Sequence, residues 1–174
     1  MCGIFALLNI KKINKERKII MKHFMKGQGR GPENSVLKYE NNNIYGFHRL
    51  AINGYQNPLS EQPFYFKDCM LICNGEIYNF KHLHEKLNIK CETFSDCEII
   101  IHLYKEFGIE YTLQLLDGVF AFILVDLKTK ETFVARDTYG VRPLYVSGNH
   151  WEEQLPFKIV QENIFGFASE MKQL

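Results

Sequence analysis

The chain has 174 residues, 46% apolar and 24% charged, with 21 Lys and Arg against 20 Asp and Glu for a net charge of +1. That length supports one well-cored domain, residues 1–174, and the composition is that of a folded globule rather than a disordered chain. The balanced charge excludes a nucleic-acid binder held by phosphate neutralisation, and no apolar run approaches the ~20 residues that span a bilayer.

The opening Met1-Cys2-Gly3-Ile4-Phe5-Ala6-Leu7-Leu8 is apolar, but no basic segment precedes it and no small-residue cleavage site follows. It reads as a buried strand over 3–9 rather than a secretory signal, so a cytoplasmic chain is expected. Without a secretory signal, the five cysteines at 2, 69, 73, 91 and 97 are expected as free thiols. A helix follows over 14–26, with Asn14 as its N-cap and Ile19, Ile20 and Phe24 on an apolar face. Gly27 to Pro32 stops it, because Gly and Pro are poor helix interiors. Strands are predicted over 44–52 and 68–73, and a short helix over 79–87.

Ser95-Asp96-Cys97-Glu98 has the form of a capping box before a helix. Ile99, Leu103 and Phe107 lie on one face of that helix, which Gly108 ends, and a second short helix covers 110–116. Residues 119–126 and 132–136 form a hairpin around Lys128-Thr129-Lys130, and strands near 143–147 and 164–168 complete the chain. Strands outnumber helices and the helices cluster, which is the pattern of an α+β fold with mainly antiparallel sheets.

Five residues, in three groups, can carry chemistry. Cys2 in an apolar strand is ordinarily a small core residue. Its place changes the reading, because removal of Met1 leaves a thiol and a free α-amine on one residue. An α-amine of pKa about 7.7–8.0 is partly neutral near pH 7 and can act as base for its own thiol. Asn74-Gly75 is either a hairpin turn, for which Asn53-Gly54 is the internal control, or a pair of oxyanion donors. Arg49 and the helix-start Asp96 are either structural charges or a clamp for a zwitterion.

Other groups read as structural. Cys69 and Cys73 share a strand face and pack in the core, with too few partners for metal ligation. His82, His84 and His102 fall on surface helices. The run from Lys11 to Lys26 is a solvated basic face. Arg136-Asp137 is an ion pair before a tight turn at Gly140.

The motifs, in order, are Met1-Cys2-Gly3-Ile4-Phe5-Ala6-Leu7, Arg30-Gly31-Pro32, Gly46-Phe47-His48-Arg49-Leu50-Ala51 and Gln62-Pro63. They continue with Cys73-Asn74-Gly75-Glu76-Ile77-Tyr78-Asn79, Glu98-Ile99-Ile100 and Leu116-Asp117-Gly118-Val119-Phe120-Ala121-Phe122. Arg136-Asp137-Thr138-Tyr139-Gly140-Val141-Arg142-Pro143-Leu144 and Ala168-Ser169-Glu170 close the set. The ordered set resembles the glutaminase domain of class II glutamine amidotransferases, of the kind at the amino terminus of eukaryotic asparagine synthetases.

The resemblance implies a four-layer αββα N-terminal-nucleophile fold of two antiparallel sheets. It implies hydrolysis of L-glutamine to glutamate and ammonia through a Cys2 thioester, with Asn74 and Gly75 as oxyanion hole. Arg49 would bind the substrate carboxylate, and Asp96 with Glu76 its ammonium. The chemistry needs no metal or organic cofactor, and neither nucleic acid nor membrane as partner.

Two departures stand beside the likeness. The family has His before the Arg-Gly-Pro motif and Asp after it, where this chain has Gly29 and Glu33. No Ser-Gly-Gly-x-Asp pyrophosphate loop follows within the 174 residues. This chain alone is therefore not expected to make asparagine, and a separate ammonia-accepting synthetase subunit is the expected partner. The alternative is a weak or inactive regulatory module that docks such a partner.

Overall fold

A computed structural model describes residues 1–11, 13–55, 57–148, 157–158 and 164–174, without the side chains of 13–15 and 157–158. The chain runs β1 (Gly3–Leu8), α1 (Ile13–Met25), β2 (Asn34–Glu40), β3 (Asn43–Arg49), β4 (Phe64–Phe66) and β5 (Cys69–Ile77). It continues α2 (Phe80–Lys86), α3 (Ile99–Leu115), β6 (Gly118–Asp126), β7 (Glu131–Arg136), β8 (Tyr145–Gly148), β9 (Phe157–Lys158) and β10 (Phe165–Ala168). Two five-stranded sheets result, ordered β2-β3-β1-β10-β8 and β4-β5-β6-β7-β9, and every pairing within them is antiparallel.

The period of two along a strand sorts the apolar residues into three stacked layers. Phe5 of β1 meets Ile20 and Phe24 of α1. Ile4, Ala6 and Leu8 point the other way, against Met70 and Ile72 of β5 and Ala121 and Ile123 of β6. Leu71, Cys73 and Ile77 of β5 face outward again, onto Leu83 of α2 and Ile99, Ile100 and Leu103 of α3. Helix, sheet, sheet and helix therefore stack as the expected αββα sandwich.

Several local expectations are corrected. β5 runs on to Ile77, so Asn74 and Gly75 sit in mid-strand opposite Ala121 and Phe120, not in a hairpin turn. β2, β4 and β9 are additional strands. β2 is half exposed at a sheet edge and carries Lys38 and Glu40, so it lacks a clean alternation. β4 is only three residues long. The Asn14 cap lies outside the described side chains. Ile19 is 62% exposed, because the stripe of α1 that touches the sheet carries Ile20 and Phe24. Phe107 is likewise exposed and packs its ring on Tyr111, 5.4 Å away. Gly108, at φ +78°, breaks α3 where a helix end was predicted.

His84 and His102 are buried rather than on the surface, and only His82 is exposed. Their rings meet edge to face at 5.8 Å where α2 packs on α3. Ser95 does cap, accepting from Cys97 N at 3.3 Å, but its own N–H goes to Thr93 Oγ1 at 3.2 Å. Glu98 therefore does not close a capping box.

Candidate active site

Cys2 lies at the entry of β1 and packs against the layer between the sheets, on the Ile4 face. Asn74 shares the face of Met70 and Ile72 on β5, two and four residues back. The two strands thus deliver one side chain from each sheet to the same end of the interlayer. A cleft there is lined by Cys2, Arg49, Asn53, Asn74, Gly75 and Asp96, among others. Five of the six predicted site residues are in that set. Glu76 is not among the lining residues.

The Cys2 thiol donates to Leu50 O at 3.2 Å, and Leu50 N lies 3.4 Å from the sulfur. Burial pushes the thiol above its ordinary value, against the pull of the Leu50 contact and the terminal ammonium. A thiol so placed needs a base. Arg30 Nε holds the Cys2 carbonyl at 2.9 Å. The turn carrying Arg30 runs so close to β3 that a Cβ on Gly31 would fall 2.3 Å from His48 O, which only glycine avoids. Glu33 keeps an acceptor at its position, taking Ala51 N at 3.1 Å, and a Cβ on Gly29 would meet open space. Met1 is present; its sulfur lies against the guanidinium of Arg142, with Arg30 Nη2 at 3.9 Å.

Asn74 is 1% exposed, and its Nδ2 has no hydrogen-bond partner. A buried donor left unpaired costs about 1–3 kcal/mol, so something must justify it. Its strand is pinned one residue earlier, where the buried Gln62 side chain accepts from Cys73 N at 2.6 Å and donates to Cys73 O at 3.1 Å. Gly75 is required by packing, since a Cβ there would lie 2.7 Å from Phe120 Cβ on β6.

Arg49 Nη2 donates to Gly54 O at 2.9 Å and to Ser60 Oγ at 2.5 Å, which orients the guanidinium at the cleft wall. The buried Asp96 accepts from Asn53 Nδ2 at 3.0 Å and Ile77 N at 2.7 Å. Asn53-Gly54, the internal control, is itself part of the site, tying the two charges together. Glu76 pairs instead with Arg142, Nη2 to Oε1 at 3.1 Å. Asn53, Gln62 and Arg142 were missed as site residues. Only an Asn-Gly pair and a Gln-Pro motif marked the first two.

Arg142 is placed by Asp137, whose carboxylate takes the N–H groups of Val141 at 2.9 Å, Arg142 at 3.0 Å and Phe120 at 3.3 Å. The expected ion pair with Arg136 is replaced by these bonds, while the turn forms as expected, Gly140 N donating to Asp137 O at 3.0 Å. Burial pushes the Asp137 carboxyl up, but the backbone donors outweigh it and hold it below its ordinary value. Its contribution is therefore full above the unfolded pKa of about 3.9 and lost as pH falls through the lower folded value. Asp137→Asn is expected to cost about 1–3 kcal/mol at pH 7. The deficit should shrink on acidification, as read from urea melts at pH 7 and pH 3.

Residues 1–174 match the family described as glutamine amidotransferase domain. The chain belongs to this family. Over its full length it is 41% identical to the glutamine-hydrolyzing asparagine synthetase of Gallus gallus, of which it covers 29%. Over 83% of its length it is 44% identical to the enzyme of Mesocricetus auratus and 43% to that of Homo sapiens, covering 26% of each. The chain thus spans under a third of the curated relatives it matches. In fold it is similar to glutamine phosphoribosylpyrophosphate amidotransferase from B. subtilis, solved with ADP and GMP. That likeness has a TM-score of 0.67 at 22% identity and covers 99% of this chain and 42% of the other. No helix among the described residues is long and apolar enough to cross a membrane.

Proposed function

We propose that the chain, once Met1 is removed, hydrolyses L-glutamine to glutamate and ammonia at this cleft. The observation that carries the reading is the unpartnered Asn74 Nδ2, a buried donor at the cleft that Cys2 also lines. A donor so placed suits an oxygen that gains negative charge in front of it.

The α-amine of Cys2 takes the thiol proton, and the sulfur attacks the side-chain amide carbon of glutamine. Asn74 Nδ2 and Gly75 N–H hold the tetrahedral oxyanion. Its collapse breaks the C–N bond, the amine returns the proton, and ammonia leaves. Water, deprotonated by the same amine, then cleaves the γ-glutamyl thioester and restores the thiol. Arg49 holds the substrate carboxylate. Asp96 takes the ammonium, with Glu76 adding negative charge behind Arg142. No step calls on a metal or organic cofactor.

The ammonia acceptor is proposed to be a synthetase of the asparagine-forming type, on a separate subunit or further chain, because the relatives at 41–44% identity carry that name. The test is a glutamate-release assay on the Met1-free chain with ammonia measured in parallel. Equimolar glutamate and ammonia are expected, and absence of both would end the reading. Arg49→Ala is expected to raise the KM for glutamine about 10- to 100-fold, the worth of charge-assisted bonds of about 1.5–3 kcal/mol. An unchanged KM in steady-state kinetics would remove Arg49 from the substrate clamp.

A further inference from the structure

Asp96 follows a segment, residues 91–95, that is neither helix nor strand. Its donors converge on one buried carboxylate that no step of the reaction uses, that of Glu98. Glu92 N lies 2.9 and 3.0 Å from its two oxygens, Thr93 N and Thr93 Oγ1 each 2.6 Å, and Cys91 Sγ 3.2 Å. From the helix side His102 Nε2 closes the arrangement at 3.0 Å. Burial pushes the Glu98 carboxyl up, yet His102, Thr93 and Glu92 together hold it well below the usual carboxylate range. It therefore stays ionised, and every donor it gathers is engaged with a charge.

The bonds lead on to the cleft. Thr93 Oγ1 accepts from Ser95 N at 3.2 Å, and Asp96 and Glu98 share one 3-10 turn. The same segment leans on the loop that orients Arg49, since a Cβ on Gly54 would come within 3.4 Å of Thr93 O. Asn53 of that loop also donates to Asp96.

We infer that Glu98 is a positioning residue for recognition of the substrate's α-ammonium, fixing the 91–96 loop so that the Asp96 carboxylate faces the cleft at the right depth. The inference rests on the reading of Asp96 as ammonium ligand. Glu98 touches neither substrate nor sulfur; it acts through Asp96. Glu98→Gln puts an amide donor where one oxygen now accepts backbone N–H, so the loop loses its hold while the volume stays constant.

Ordinary loss of structure would harm every amide substrate alike. Loss of ammonium positioning would harm only a substrate that has the ammonium. Glutaramate is glutamine with hydrogen in place of the α-amino group, and it keeps the carboxylate and the scissile amide. In the Met1-free chain, Glu98→Gln is expected to lower kcat/KM for L-glutamine about tenfold, mostly through KM. Ammonia release from glutaramate should stay within about twofold. Thr93→Val, which removes the hydroxyl's bonds to Glu98 and Ser95 and leaves Glu98 in place, should give a smaller loss with the same selectivity, and it decides the matter if Glu98→Gln does not fold.

Equal losses on both amides, or no loss on either, would overturn the inference. Asp96→Asn is the parallel arm. If it is selective for glutamine and the Glu98 and Thr93 variants are not, positioning by Glu98 is wrong and the ammonium reading stands. If Asp96→Asn also fails to discriminate, both fall.

Discussion

Cys2→Ala in the Met1-free chain is expected to release no glutamate above background, a loss on the order of 10⁶-fold, the scale seen when the nucleophile of a covalent hydrolase is removed. The α-amine remains in that variant, so a loss isolates the sulfur. The side chain is only partly buried at the end of the interlayer, and its hydrogen bonds are the weak thiol contacts with Leu50. Deleting one sulfur there should cost less than about 1 kcal/mol of stability, and the thermal melt should stay close to that of the parent. Full glutaminase activity in this variant would remove the thioester mechanism. A chain that keeps Met1 should behave like Cys2→Ala, because its residue-2 nitrogen is an amide and cannot serve as base; mass spectrometry separates the two forms before the assay.

Asn74→Ala carries the second large effect, and it has an unusual signature. Loss of one oxyanion donor lowers kcat by about 10²–10³, equivalent to ~2.7–4 kcal/mol. KM should hardly move, because the donor has no role until charge develops on oxygen. The folded protein loses no hydrogen bond with that amide, since Nδ2 has none. It sheds an unsatisfied buried group, so the variant is expected to melt at or above the parent temperature. A fall in stability together with kcat would indicate that Asn74 is a framework residue, and the oxyanion hole would have to be sought elsewhere.

Much of the architecture was legible because it rests on local periodicity. The apolar run from Ile4 to Leu8 marked β1, and the Lys128–Lys130 turn marked the β6–β7 hairpin. The edge strands β2 and β4 were not legible. β2 is half exposed and mixes Lys38 and Glu40 into its pattern, and β4 is too short to show one. Helix faces were read too wide at Ile19 and Phe107, because spacing says which residues align but not how far the neighbouring sheet extends.

In the cleft, Cys2, the Asn74-Gly75 pair and the pairing of Arg49 with Asp96 were picked out from the chemistry of their residue types. Asn53, Gln62 and Arg142 were not, since an amide bracketing a strand or a guanidinium behind a carboxylate has meaning only once the chain is folded. Glu98 was read as half of a helix cap. Its actual partners lie upstream at 91–93 and one helical turn ahead at His102, contacts that a four-residue motif does not contain.

Cys2 and Asn74 line one cleft from opposite leaves of the sandwich, so no single strand sets their separation. The spacing is a property of the hydrocarbon filling, of how Ile4, Ala6, Met70, Ile72 and Ala121 nest. A change of one methyl group in that filling, at a residue lining no part of the cleft, is thus expected to shift the two walls relative to each other.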